Sequence, residues 1–248
     1  MIILKASTEI EKMKKAGKIT GDTLKLLQEK VKPGMSTLEL NEIAEKYIRS
    51  QGAVPSFLGL YDYPASVCIS IDEEVVHGIP NKHRIIEEGQ IVSFDVGAFI
   101  DGFHGDAART VMIGEVSEEK KKLVKVTEEC FFKGVEQFKL GNRLGDIGHA
   151  IQQHAESFGY GVVRDLVGHG IGRNMHEDPE VPNYGVAGRG QRLLNGLALA
   201  IEPMITAGTY EVEQLSDGWT YVTKDRKPAS HYENTTILVD GEVHILTL

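Results

Sequence analysis

Apolar residues recur at two spacings along the chain, and the switches between them divide it into elements. Behind the capping-box pattern Thr8-Glu9-Ile10-Glu11, residues Ile10, Met13, Ala16, Leu24 and Leu27 fall at helical spacing, and the helix should end before Pro33-Gly34. A second capping box, Ser36-Thr37-Leu38-Glu39, opens a helix with Leu40, Ile43, Ala44, Tyr47 and Ile48 inward and Gly52 as its stop. Loop and strand follow over 54–80, with Val67 to Ile71 as the β run. Ser117 begins a third helix carrying Leu123, Val126, Cys130 and Val135 on one face. Asn142 leads into a fourth, with Leu144, Ile147, Ile151, Ala155 and Phe158 inward and Gly159 as its stop.

Between these helix pairs, the stretch from Gly89 to Val111 alternates as strand on both sides of Asp101-Gly102, a dipeptide suited to a two-residue hairpin because both turn residues tolerate positive φ. Centred there, the hairpin sets Ile100 against Phe103, Ala98 against Gly105 and Gly97 against Asp106, so Asp106 lies diagonally across from Asp95. Side chains two apart share a strand face, and diagonal neighbours are within reach, so both carboxylates point the same way. An ionised carboxylate beside Ile91, Val92 and Phe94 is costly unless something positive pairs with it. Two readings follow: one acid paired with Arg109, the only cation in either strand, and the other at a solvated edge, or a metal ion held between the two aspartates.

The second half of the chain repeats the first. An offset of 107 carries Gly34 to Gly141, Gly52 to Gly159, Gly89 to Gly196 and Asp95 to Glu202. The segment Val76-His77-Gly78-Ile79 also resembles Gly168-His169-Gly170-Ile171 at an offset of 92. The chain reads as one domain, 1–248, built of two related αβ halves, about 1–116 and 117–248, that face each other across one site. Tyr232 to Val239, closed by Asp240-Gly241 and returning through Val243 to Leu246, reads as the second half's version of the first hairpin.

Composition narrows the function classes. With 41% hydrophobic and 25% charged residues the chain reads as a soluble globular protein, and a net charge of −9 without a dense Lys/Arg stripe argues against a nucleic-acid surface. The apolar start at Met1 to Lys5 is too short for a signal peptide, and no run reaches the length of a membrane span, so a cytoplasmic protein is expected. Cys68 and Cys130 form no spaced framework, which fits a reducing compartment.

The repeat adds Glu202 to Asp95 and Asp106, and Glu233 in the last β run is a fourth acid. His169, flanked by glycines, and His176 are seven apart; Pro179 and the acid at Glu180 exclude the helical zinc-protease motif. Four carboxylates with one imidazole hold too much negative charge for one cation and are oxygen-rich for structural zinc, which suits two divalent ions such as Mn, Fe or Co bridged by two of the acids.

Seven short runs together resemble the type I methionine aminopeptidases of the pita-bread fold: Glu73 to Pro80 (EEVVHGIP), Ser93 to Gly97 (SFDVG), His104 to Asp106 (HGD), Gly168 to Gly172 (GHGIG), His176 to Pro179 (HEDP), Ile201 to Met204 (IEPM) and Tyr232 to Thr235 (YENT). The resemblance spans essentially the whole chain and places it with the bacterial-type enzymes. It implies an α+β pita-bread fold, two pseudo-symmetric halves with antiparallel sheet around a central dimetal cleft. It also implies that Asp95, Asp106 and Glu233 hold one metal and Asp106, His169, Glu202 and Glu233 the other, as Mn, Fe or Co with zinc as a further candidate. His77 and His176 are then expected to hydrogen-bond the substrate, His77 near the scissile nitrogen and His176 near the developing oxyanion. Glu202 is the candidate general base.

The methionine pocket implied by the resemblance is built from Leu60, Tyr63, Cys68, Met175 and Trp219. The expected substrates are the N-termini of nascent polypeptides near the ribosome, cleaved by a cytoplasmic monomer that prefers a small second residue, with the free α-amine bound at a metal. The chain departs from the family pattern at Leu60 and Met175, where aromatic residues are frequent, and at Asn234, which replaces the usual histidine. Asp72 and Ala229 stand where Asn and Ser are usual, so the family's monovalent-cation site is not carried over unchanged. Two competing readings remain, a proline-specific peptidase of the same fold, which usually carries a further N-terminal domain, and a catalytically dead pita-bread binding module, which would have lost metal ligands.

Overall fold

A computed structural model describes residues 1–248. The first half runs through α1 (Ser7–Lys30), α2 (Thr37–Ser50), β1 (Val54–Pro55), β2 (Val67–Ile71), β3 (Glu74–Val76), β4 (Ile91–Ile100) and β5 (Phe103–Met112). The second comprises α3 (Glu118–Val135), α4 (Leu144–Ser157), β6 (Gly161–Val162), β7 (Gly168–Gly170), β8 (Glu177–Val181), β9 (Ala198–Ile201), β10 (Met204–Thr206), β11 (Val212–Gln214), β12 (Tyr221–Thr223), β13 (Ala229–His231), β14 (Asn234–Val239) and β15 (Glu242–Ile245). In each half a helix pair packs on antiparallel strands: Leu24, Leu40 and Ile48 meet Ile69, Phe94 and Val96 in one core, and Leu123, Phe131 and Ile151 meet Leu199, Ile201 and Ile205 in the other.

The capping box of α2 forms as read, with Ser36 Oγ accepting from the Glu39 amide and Glu39 accepting from the Ser36 amide at 2.7 Å. That of α1 does not. The helix starts at Ser7, and Glu9 reaches back to the Ala6 amide, three residues before it, because Ala6 is the residue still in extended conformation. Phe158 is also not inward: it lies past the end of α4 and stays exposed, with the Lys122 ammonium over its ring. Ile43 and Tyr47 are half-buried at the flank of the α2 stripe.

The β4–β5 hairpin has the predicted register, Ile100↔Phe103, Ala98↔Gly105 and Gly97↔Asp106, with positive φ at Asp101 and Gly102. The internal repeat extends to pairing: β1 and β4 match Val54↔Phe99 and Pro55↔Ala98, while β6 and β10 match Gly161↔Thr206 and Val162↔Ile205, each partner displaced by 107. Isolated bridges Ser36↔Ile85 and Arg143↔Arg192 obey the same offset.

Two details of the repeat differ from the sequence reading. The counterpart of the first hairpin is β9–β10 against β13–β14, since Met204↔His231 occupies the place of Gly97↔Asp106. The β14–β15 hairpin is an addition, and the excursion over β11 and β12 widens the offset between the returning strands. The second correction concerns the histidines. In β2 Ser70 pairs with Ser93, and in β7 His169 pairs with Ala200, the repeat of Ser93; His169 therefore answers to Ser70, and His77 answers to His176. The resemblance between the His77 and His169 segments does not mark shared position; what they share is a following glycine with no room for a Cβ, which would lie 2.2 Å from Ile69 O at Gly78 and 2.2 Å from Asp178 O at Gly170.

The halves join along their returning strands as mirror contacts of one pseudo-twofold. The amide of Ala108 donates to Glu233 O and that of Glu233 to Ala108 O, at 3.3 and 3.0 Å. On either side, Thr235 Oγ1 accepts from the Asp106 amide and donates to its carbonyl, and Thr110 Oγ1 does the same for His231, all at 2.9 Å. This join fixes Asp106, His231 and Glu233 within one short span of backbone.

Candidate metal centre

The cavity between the halves has a volume of about 550 Å³ and is lined by Asp95, Asp106, His169, Glu202 and Glu233. Asp95 and Asp106 come from β4 and β5, His169 from β7, Glu202 from the end of β9 and Glu233 from the turn between β13 and β14. His169 Nε2 lies 3.5 Å from Asp106 Oδ2 and 3.6 Å from Glu202 Oε1, and its Nδ1 faces the Gly170 carbonyl oxygen at 2.8 Å, which directs Nε2 at the acids. The flanking glycines are required by close packing: a Cβ on Gly168 would lie 2.4 Å from Ala200 O, and one on Gly170 2.2 Å from Asp178 O.

Arg109, the cation weighed as a partner for one acid, is committed elsewhere. Its guanidinium donates to the carbonyls of Ala108 and Glu233 and to Asn234 Oδ1, and its face covers the Tyr232 ring. None of the four acids forms an ion pair with lysine or arginine; only imidazoles approach them. Burial pushes all four carboxyl groups up, Asp106 to about 7, and neighbouring carboxylates add to the rise at Asp95, Glu202 and Glu233. Asp95 Oδ1, Asp106 Oδ1 and Glu233 Oε1 are buried without hydrogen-bond partners. Oxygen donors that are desolvated, mutually repelling and unpaired fit divalent cations, and burial holds His169 neutral, with its group lowered to about 4, so its lone pair is free to coordinate.

Among the remaining predicted residues, His77, His176, Leu60, Tyr63, Cys68 and Trp219 line the same cavity. His77 has φ 61, a left-handed conformation strained for a side chain of this kind, and its ring lies edge-on to Trp219 and Tyr221. Burial lowers His77 and His176 to about 4, so both are neutral N–H donors near neutral pH. Met175 does not line the cavity; it is buried behind it in the cluster that holds Tyr63, Cys68 and Ile171, because the loop turns its neighbour His176 to the open side. Asp72 is taken up by Lys120, at 2.6 Å, and Asn234 by Arg109 and Thr247.

Among the residues at the site not singled out from the sequence, two touch predicted site residues directly. Tyr61, 70% exposed at the cavity, stacks on His176 with ring centres 5.8 Å apart. His231 is 1% exposed, with Nε2 3.8 Å from Glu202 Oε2 and 3.7 Å from Glu233 Oε2. The signal that could have found it is its position two residues before Glu233 in an extended run, where side chains share a face.

Comparison with known proteins is consistent across sequence and structure. The model of metallopeptidase family M24 matches residues 11–240. A methionine aminopeptidase of Clostridium acetobutylicum is 59% identical over 248 residues, covering 100% of this chain and 99% of that one. The crystal structure of a methionine aminopeptidase from Thermotoga maritima superposes with a TM-score of 0.98 at 44% identity, covering 100% and 99%. A prolidase from Pyrococcus furiosus shares the fold at a TM-score of 0.80 with 22% identity, and this chain covers 65% of it.

Proposed function

Because the chain belongs to metallopeptidase family M24 and matches methionine aminopeptidases over its full length, we propose that it removes the N-terminal methionine of proteins, preferring a small second residue. The observation that carries this reading is the union, in one cavity, of an unpaired carboxylate–imidazole cluster with the apolar side chains of Leu60, Tyr63, Cys68 and Trp219. We assign residues 1–248 to one catalytic unit. Asp95, Asp106, His169, Glu202 and Glu233 would hold two divalent ions drawn from Mn, Fe, Co or Zn. When bound, these ions supply an activated water and positive charge where the carbonyl oxygen becomes anionic.

The chain's own groups do the rest. Glu202 accepts the proton of the attacking water and passes it toward the leaving amine. His176, neutral and stacked on Tyr61, donates its N–H to the oxyanion, and His77 donates near the scissile nitrogen. The methionine side chain packs among Leu60, Tyr63, Cys68 and Trp219, with Met175 supporting them from behind. The substrates are nascent chains near the ribosome, met in the cytoplasm by a monomer; no helix is long and apolar enough to cross a membrane.

The test is hydrolysis of Met-Ala-Ser beside an Ala-Pro dipeptide and an Ala-Pro-led peptide, before and after chelation. Release of methionine alone, abolished by chelation and restored by Mn, Fe or Co, is expected. Cleavage of the Ala-Pro bond without release of methionine, or full turnover by metal-free protein, would overturn the reading.

A further inference from the structure

Two carboxylate–imidazole triads share Glu233; their carboxylates and His169 line the cavity, while His231 is buried outside its lining. Ligand atoms of Asp106, His169 and Glu233 lie within 4.8 Å of one another, and so do those of Asp95, His231 and Glu233. Each triad takes one aspartate from the β4–β5 hairpin and one histidine from the second half. We infer that His231 is a direct ligand of the ion that Asp95 and Glu233 hold, so that each of the two ions carries one imidazole. This rests on the dimetal reading above and adds a sixth ligand to it.

The separations favour coordination over a hydrogen bond. His231 Nε2 stands 3.7 Å from a carboxylate oxygen of Glu233, its proposed co-ligand, as His169 Nε2 stands 3.5 and 3.6 Å from those of Asp106 and Glu202. Hydrogen bonds between such groups close to about 2.7–3.2 Å. Two donors sharing one ion with bonds of about 2.1 Å are instead held roughly 3 to 4.2 Å apart, depending on the angle. Both ring nitrogens are buried without a hydrogen-bond partner, an arrangement that costs stability unless something binds them.

The ring is also held in place. His231 is bonded through its amide and carbonyl to Thr110 Oγ1, and it pairs with Met204 in the sheet, so its backbone cannot retreat from Glu233. His231 also lines a second cavity of about 180 Å³ with Thr110 and Glu128. An imidazole at this ion moves its preference along the Irving–Williams order, favouring Co over Mn more than an all-oxygen site would.

The experiment titrates metal-free full-length protein with Co(II), following stepwise affinity by calorimetry and coordinated imidazoles by hyperfine-shifted N–H proton resonances. The parent should show two such resonances at full occupancy. His231→Gln should lose one, weaken the second binding step at least tenfold and leave the first step unchanged, whereas His169→Ala should lose the other resonance. One resonance in the fully loaded parent would overturn the inference even if the variants failed to fold. An unchanged N–H spectrum in His231→Gln would also overturn it, whatever the affinity, since that is the behaviour of a hydrogen-bonding neighbour. A parent that binds no Co(II) would overturn the dimetal reading as well, which separates the two failures.

Discussion

At the scale of single residues, Asp106 is the most demanding position, because it is 4% exposed, in the triad with His169 and Glu233, and no lysine or arginine pairs with it. Asp106→Asn keeps its shape and removes a charge whose burial is unfavourable, so the metal-free variant should melt no lower than the parent. It should nevertheless lose more activity than the roughly 10–100-fold that a supporting neighbour of a metal ligand costs; an active Asp106→Asn would show that Asp106 does not bridge two ions. The histidines divide differently. His176→Ala should retain metal by elemental analysis and lose turnover by about two to three orders of magnitude, while His169→Ala should lose metal; equal metal loss in both would mean that the two roles are wrongly assigned. Asp95 and Asp106 were legible in the sequence because a two-residue turn fixes register, and register fixes which side chains share a face. For His231 the spacing to Glu233 was a local signal, but its approach to Glu202 was not legible, because it depends on β13 pairing with β10, where Met204 faces His231 across 27 residues of chain.

At the scale of elements, the loop between β7 and β8 carries His176 and is tied down by a buried ion pair from outside its own half. Lys5 Nζ lies 2.6 Å from Glu177 Oε2 with both side chains nearly inaccessible, at 2% and 3%, while Glu177 Oε1 accepts the amides of Arg173 and Asn174. Removing the lysine leaves a buried carboxylate uncompensated, which costs about 3–5 kcal/mol. Lys5→Met should therefore lower the melting temperature by roughly 10 °C and reduce kcat through the displaced His176, without releasing metal. Replacing both partners, Lys5→Met with Glu177→Gln, should recover part of that stability. A single variant as stable as the parent would show that the pair does not hold the loop. Nothing in Met1 to Lys5 announced this tether, since the partner is 172 residues away. The helices were more legible: the stripe from Ile10 to Leu27 is buried as its period requires, and the α2 box lies where its serine and glutamate put it. The misplacement of Met175 and Phe158 has one cause, because periodicity assigns a face to residues inside a helix and says nothing of the residue just beyond it or in a loop.

At the scale of the whole molecule, the candidate ligands bind one half to the other: Asp95 and Asp106 come from the first, His169, Glu202 and Glu233 from the second. Metal binding should thus act as a clamp whose strength depends on pH, and the sign follows from the buried groups. Burial raises Asp106 to about 7 and lifts its three carboxylate neighbours, so between the unfolded carboxylate range and these raised values the folded, metal-free protein holds more protons than the unfolded chain. Their contribution to stability is present at low pH and is lost as pH rises through the folded values. The buried histidines His77, His169 and His176, lowered to about 4, act in the opposite sense between about 4 and 6.5 and contribute no further slope above that window. From pH 6.5 to 8, then, the metal-free protein should melt at progressively lower temperature. An incoming ion must displace the carboxyl protons at the acid end of this window, so apparent affinity for Mn or Co should rise with pH, and the gain in melting temperature on adding metal should widen. Thermal melts with and without metal at four pH values, beside calorimetry in buffers of different ionisation enthalpy to count released protons, measure both. A metal-induced shift that is constant across the window, with no proton release, would show that the four carboxylates are already ionised in the metal-free fold.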